Sequence, residues 1–453
     1  MKRLLFGAVL GLLALAAPAT AQYYAPPQVQ TVNPTDLFQD VPLGAPQAQT
    51  NYATGALLGG FFSQSGQADN FMIGGDAAQN LWQRGTTGPS TTGTYLYNAD
   101  RWFGWSGTNT AFTTTQSNTS AALPTGVLQT FRVQRTAAQT GVVQLCGLSQ
   151  IIRTQQAVYL AGHTVEADFN VYTGANFSAT SLNAYITYGT GTDDGAQKLA
   201  YGLNAGGGGA SAWTGQANAT TGALSGLAVS TAYKAAVVAN IPSTATEVAL
   251  TLCYTPVGTA GTTDALYFSN VELRKADYLS NFVNSASAYT VTTNAQNAST
   301  AQITATINGI VQNAVIPAFS RRQDATEATL QYSYFDLIAE ANTAGVVQGP
   351  AGSYDTTTTC TIAFPLPAPM WKVPTLIVTA INAYNALSAT TFKINPTTTP
   401  VVLASAFAAL QTGASTTTSG VVSFKTTTET QYVMCELNST ASGGGAFAFN
   451  AEE

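Results

Sequence analysis

Val165-Glu166-Ala167-Asp168-Phe169-Asn170-Val171-Tyr172 alternates apolar and polar residues without a break. Successive side chains of a strand leave opposite faces of its sheet. Val165, Ala167, Phe169 and Val171 therefore share one face, and Glu166, Asp168, Asn170 and Tyr172 share the other. One face predicts core and the other a wet surface. Working outward, further strands are expected at Ala184 to Tyr188, Val248 to Tyr254 and Leu266 to Leu273, separated by clusters of Gly, Thr, Asn and Ser. That spacing is typical of an antiparallel sandwich.

The remaining chain divides around this region. Lys2 and Arg3, the apolar stretch Leu4 to Ala17 and Ala19-Thr20-Ala21 read as a signal peptide over 1–21, with an uncleaved anchor as the alternative. Residues 22–60 are Pro-rich and aperiodic, which predicts an extended leader. The sandwich is assigned to 61–275, with Gly206 to Gly209 as a flexible loop, and 276–318 reads as a Thr- and Asn-rich connector. The stretch 319–453 reads as a smaller α+β domain. Its helix begins at Asp324, with Asp324 and Glu327 spaced as a capping box. Leu330, Tyr334, Leu337 and Ala341 would form its apolar stripe, packing on the strands that come after it. The expected fold class is mostly β, a sandwich followed by one helix on a sheet.

Composition excludes several functions. Charged residues make up only 8% of the chain, so its surface is solvated by hydroxyls and amides. The formal charge of −6 becomes −8 if Lys2 and Arg3 are cleaved away, and no basic run remains. Nucleic-acid binding through phosphate neutralisation is not expected. Beyond the leader no segment reads as a membrane span, and the expected location is extracellular or the cell surface.

The reactive inventory is sparse. His163 is the single histidine, in Ala161-Gly162-His163-Thr164, and no third group is evident to orient it as a catalytic base. Cys146, Cys253, Cys360 and Cys435 lack zinc spacing, so neither a metal nor a cofactor is expected. In an oxidising compartment three disulfide connectivities are open. The one that respects the domain division pairs Cys146 with Cys253 and Cys360 with Cys435, and four free thiols are the alternative. Asp193-Asp194 reads as a polar turn, with calcium ligation left open. Glu166, Asp168, Asp193, Asp194 and Glu247 could supply the two carboxylates of a glycosidase, although ordinary strand acids explain Glu166 and Asp168 as well.

Glycan binding asks for less chemistry: rings that stack on sugar C–H faces, with amides and carboxylates for the hydroxyls. The wet face with Glu166, Asp168, Asn170 and Tyr172, joined by Asn183 and Tyr185, has that composition. Trp105 and Trp213 are candidate platforms, though a loop tryptophan folded onto the sandwich is an equal reading for Trp213. Trp82 and Trp102 are expected in the core.

Five short blocks, in order, resemble phage tail-fibre and appendage proteins. Asn80-Leu81-Trp82-Gln83-Arg84-Gly85-Thr86, followed by Ala99-Asp100-Arg101-Trp102, resembles the opening of that family's jelly-roll domain. Phe268-Ser269-Asn270-Val271-Glu272-Leu273 resembles its closing strand, and Phe319-Ser320-Arg321-Arg322 with the helix to Phe335 the segment after it. Met370 to Thr375 and Ala448 to Glu453 resemble a later strand and the usual ending. The resemblance spans most of 61–453 and implies a virion-type or adhesin-type surface protein whose jelly roll is similar to carbohydrate-binding modules, with no catalysis. The signal-like N-terminus and the long connector depart from the family. Three functions are carried forward: a glycan- or receptor-binding surface protein, a purely structural virion or surface component, and a polysaccharide-cleaving glycosidase. A homo-oligomer is compatible with each, and no coiled-coil heptads impose one.

Overall fold

The computed structural model describes residues 70–86, 95–107, 111–118, 127–140, 144–204, 212–284, 290–292, 302–307, 310–316, 319–339, 345–346, 352–356, 359–377, 392–394, 401–402, 415, 419–425, 434–435, 437–439 and 446–452. All of them belong to one compact unit, Gln64–Glu453. The signal-like segment, the leader and the Gly206 to Gly209 loop lie outside the described residues.

Alternation does what the sequence requires of it. Strand β6 (Thr164–Thr173) carries the deciding stretch, and Val165, Ala167, Phe169 and Val171 all enter the sandwich core. In one sheet β6 lies between β11 (Ala265–Lys275) and β9 (Ala232–Asn240), with β4 (Thr130–Arg135) and β3 (Phe112–Ser117) beyond β11. The facing sheet has the order β1-β2-β5-β10-β7-β8. Its strands are Tyr95–Tyr97, Phe103–Ser106, Cys146–Ile152, Glu247–Tyr254, Ser181–Thr190 and Thr214–Ser225 in that order. Leu148, Leu182, Ile186, Leu250 and Leu252 of this sheet meet Phe131, Val133, Phe169, Phe268 and Leu273 of the first. The chain crosses between sheets from β5 through β7 and again from β8 through β11, as in a jelly roll. The expected mostly β, antiparallel fold is what the molecule adopts.

Strands β5 and β10 are buried along their whole length, because the six-stranded sheet is covered on its outer side too. A helix, α2 (Ala196–Asn204), lays Ala196, Leu199 and Ala200 over Phe103, Trp105, Ala249 and Cys253. Sequence reading missed this helix, and also the short α1 (Thr154–Ala157) and α3 (Ser280–Asn284), each less than two turns. The five-stranded sheet is covered over part of its outer side by the connector. There Leu279, Phe282 and Ile316 pack on Ala236 and Val238. The connector also contributes three antiparallel strands, Thr290–Thr292, Gln302–Ile307 and Ile310–Val315, more structure than its composition suggested.

Helix α4 (Asp324–Tyr332) forms where expected but is not the helix the pattern implied. It ends before Tyr334, and Leu337 lies in the strand Phe335–Ala339, so the proposed stripe is split between two elements; Ala341 lies outside the described residues. Nor is there a capping box. The N-cap is Gln323 without a side-chain bond, and Asp324 is exposed. What the helix buries is polar: Glu327 and Gln331, four residues apart. Gln331 Oε1 accepts from the Leu81 amide at 2.7 Å, and its Nε2 donates to the Gln79 carbonyl at 2.9 Å. Glu327 accepts from the Gly74 amide and from Arg322 Nη1 at 2.8 Å. The helix thus completes the hydrogen bonding of a strandless loop of the sandwich, residues 72–81.

The blocks behind the family resemblance meet at this junction. Arg84 lies 3.5 Å from the Phe335 ring centroid and pairs with Asp100 and Glu452. Arg101, with φ of +69°, stacks 3.7 Å from the Tyr334 ring centroid while its amide donates to Glu452 Oε1 at 3.1 Å. Gly75 admits no side chain, since a Cβ there would lie 2.0 Å from the Val271 carbonyl oxygen. Glu272 accepts from the Ser320 amide at 3.1 Å, and the Trp371 amide donates to the Ser333 carbonyl at 3.1 Å. Trp82 and Trp102 are core residues, as expected.

Candidate functional site

The polar face of β6 divides into a covered half and an open half. In the covered half, Arg274 Nη2 lies 2.7 Å from Asp168 Oδ2 and 3.2 Å from Glu166 Oε2, and Nη1 lies 3.3 Å from Glu272 Oε1. The Tyr278 hydroxyl donates to Glu166 Oε2 at 3.2 Å. Burial holds the Asp168 carboxyl well above the usual carboxylate range; Arg274 opposes that rise, and Glu166 and Glu272 add to it. Glu272 is raised for the same reason, burial first. Glu166 and Asp168 are 0% and 1% exposed. The expected solvent-facing pair is therefore corrected. The connector covers it, and acids removed from water require a cation beside them.

The open half keeps the expected character. Asn170 and Tyr172 are half-buried. Tyr172 stands opposite Tyr267 in register, with ring centroids 5.6 Å apart at 68°. Arg132 on the next strand stands opposite Tyr267 and donates through Nε to Thr115 Oγ1 at 2.9 Å. Lys234 stands opposite Asn170 on the other side, and its charge eases the rise in Asp168. The half-buried Tyr172, Asn170, Arg132 and Lys234 thus share one patch of strand surface, with the Tyr267 ring, itself 6% exposed, packed against Tyr172. Tyr267, Arg132 and Lys234 were missed because only the strand pairing places them beside Tyr172.

Asn183 and Tyr185 do not join this patch. They project from the outer side of β7, on the opposite sheet, so the sandwich core separates them from Asn170 and Tyr172. Sequence parity gave each residue a face but not a sheet. Tyr185 does meet both tryptophans, though as part of a covered cluster. Trp105 is fully buried and donates to Ser149 Oγ at 2.8 Å. Trp213 is 2% exposed and lies against Gly189, where a Cβ would come within 2.8 Å of the Trp213 Cβ. Neither ring presents a face to a ligand, which corrects their assignment as platforms. Burial also pushes the Tyr185 hydroxyl up to about 12.

The remaining candidates resolve into structural contacts. His163 Nδ1 lies 2.8 Å from Asp277 Oδ2, while Asp277 Oδ1 accepts from the Thr164 amide at 2.9 Å, so this pair fastens the start of the connector to β6. Asp193 exchanges hydrogen bonds with Thr154, and Asp194 pairs with Lys198 at 2.6 Å. Glu247 accepts from Thr154 Oγ1 at 2.8 Å, and burial raises its carboxyl to about 7. Among the described residues no group of three or more His, Cys, Asp or Glu side chains is arranged to hold a metal. Cys146 and Cys253 are free, and their expected disulfide is corrected. The register sets Cys146 opposite Tyr254 and Cys253 opposite Gly147, so the first thiol faces the sandwich core and the second the layer under α2. The thiols of Cys360 and Cys435 lie outside the described residues.

No family model matches the chain, and no curated protein matches it. Solved structures similar to it include one from a study of β-sandwich carbohydrate-binding modules, 9% identical over 40% of this chain and 58% of that chain, with a TM-score of 0.26. Another is the enzymatically active domain of tailspike protein 4 of bacteriophage CBA120, 13% identical over 46% of this chain and 21% of that one, with a TM-score of 0.23. A third is TmCBM61 in complex with β-1,4-galactotriose, 10% identical over 46% of this chain and 99% of that one, with a TM-score of 0.25. The chain spans 58% and 21% of the first two structures' lengths. At this level of likeness no function is transferred from them. Among the described residues no helix is long and apolar enough to cross a membrane.

Proposed function

We propose that this protein is an exported, non-catalytic surface protein that binds glycans or cell-surface polysaccharide on the open half of its five-stranded sheet. The observation that carries this reading is the half-buried Tyr172 ring, backed by the buried Tyr267 and set beside Asn170, Arg132 and Lys234. A half-exposed ring supplies the apolar stack for a sugar's C–H face, while the amide and guanidinium supply the directional contacts its hydroxyls need. A glycosidase is disfavoured by the same sheet: Glu166 and Asp168 are both buried and held by Arg274, so neither faces solvent where a sugar would lie. A role on a virion or on a cell surface is equally served by this patch.

The test is a glycan array followed by titration of the best ligand. Tyr172→Ala should weaken binding about tenfold, equivalent to ~1.4 kcal/mol, whereas Tyr172→Phe, which keeps the ring, should bind nearly as well as the parent. Absence of binding to every glycan and cell surface, together with a stable oligomer in solution, would replace this reading with a purely structural one.

A further inference from the structure

A cleft of about 730 Å³ opens where the turn after α1 and the end of β11 face the segment leading into α4. Tyr159 stands on one wall with 65% of its surface exposed, among the most exposed large apolar or aromatic side chains of the described residues. Phe71 lies with it, and Lys275, Arg321 and Arg322 line the cleft together with the amides of Gln156 and Gln323. No acidic residue is among its lining groups. Of the 16 lysines and arginines in the chain, three line this one cleft.

The three are not equivalent. Arg322 is committed to the protein, donating to the Met72 and Asn70 carbonyls and pairing with Glu327. Arg321 is half exposed and pairs with Asp76 at 3.5 Å and with the exposed Asp324 at 3.3 Å, contacts that solvent screens. Lys275 is exposed and forms no ion pair among the described residues. Lys275, the solvent-screened Arg321, an exposed ring and two amides make a site for a ligand that is at once ringed, hydroxylated and anionic.

We infer that this cleft binds an acidic polysaccharide, its Lys275 and Arg321 taking the carboxylates of uronic-acid units while Tyr159 stacks on a sugar ring. The inference extends the glycan reading but uses a separate surface from the Tyr172 patch, and the two can fail independently. Charge pairing with a polyanion is screened by salt, whereas ring stacking is not, so affinity should fall steeply as ionic strength rises.

The experiment is titration of the full chain with polygalacturonate, dextran sulfate and neutral dextran, at low and high salt. Polygalacturonate should bind at least tenfold more tightly than dextran. That preference should be lost in Lys275→Ala/Tyr159→Ala and retained in Tyr172→Ala. Both substituted side chains are exposed, and a thermal melt confirms the fold of each variant. The inference is overturned if the double variant binds polygalacturonate within twofold of the parent, if polygalacturonate is not preferred to dextran, or if dextran sulfate binds as tightly, which would mark a nonspecific polyanion surface. Loss of neutral-glycan binding in Tyr172→Ala, with polygalacturonate binding unchanged, would support both readings together.

Discussion

Glu247 shows how a single buried carboxyl couples this fold to pH. Its carboxyl is raised from 4.5 to about 7, first by burial and then by Asp193 and Asp194, while Thr154 and the Asp194 amide hold it down. Lys198 faces the same cluster through Asp194. An acid whose folded-state value lies above its unfolded one favours the fold most at low pH. That contribution is complete below about 4.5 and is lost as pH rises through about 7. At ~1.36 kcal/mol per pH unit the loss is bounded at roughly 3 kcal/mol. Glu247→Gln should therefore raise the melting temperature by a few degrees at pH 8 and leave it nearly unchanged at pH 4, as read by thermal denaturation across that range; equal shifts at both pH values would contradict the assignment. The same scale of inspection explains why the tryptophan platforms failed. Trp105 and Trp213 carry no signal in the sequence that separates a ring laid on a sugar from a ring laid on a sheet, and the decision falls to α2 and Gly189.

Helix α4 illustrates what periodicity can and cannot settle for an element. Its start was legible, but its buried face was not, since Glu327 and Gln331 do not look like core residues. They are buried because the loop 72–81 has backbone groups without strand partners, and a buried amide or carbonyl left unpaired costs about 1–3 kcal/mol. Gln331→Leu should accordingly destabilise the full chain by roughly 1–3 kcal/mol despite adding apolar surface, by orphaning the Leu81 amide and the Gln79 carbonyl. Leu330→Gln, on the face expected to be apolar, should be near neutral. Urea midpoints of the two variants check the contrast, and the reverse order would restore the apolar-stripe reading. The β6 strand behaved differently, because a period of two assigns faces unambiguously once the strand is given. Its polar face was nevertheless only half wet, and nothing in Glu166 or Asp168 announces that Arg274 and Tyr278 will enclose them.

Across the whole molecule, the arginines of the opening blocks join the sandwich to the C-terminal part of the chain. Arg84 stacks on Phe335 and neutralises Asp100 and Glu452, whose side chains are both fully buried. Removing one partner of a buried ion pair typically costs about 3–5 kcal/mol, because the remaining charge is left uncompensated. Arg84→Ala should loosen the segment after residue 319 while sparing the sandwich. Limited proteolysis should then cut there first, and acidification should partly reverse the effect. The reversal follows from Asp100, whose carboxyl burial already raises to about 7 even beside Arg84. Uniform cleavage across the chain would show that the arginine supports the whole fold and not this junction. The blocks that resemble a fibre family thus come together where the sandwich meets the C-terminal part of the chain.

By itself the sequence determined the antiparallel sandwich, the face each β6 side chain takes, the core placement of Trp82 and Trp102, and the scarcity of reactive groups. All of these follow from local period and composition. Only the tertiary structure decided which sheet each candidate belonged to and which outer surface stayed uncovered. It also decided that Cys146 and Cys253 face apart, and that Lys275 and Arg321 line one cleft. Those outcomes depend on strand order and on what packs over each sheet. Both are set by contacts between residues far apart in the chain, which no local pattern records.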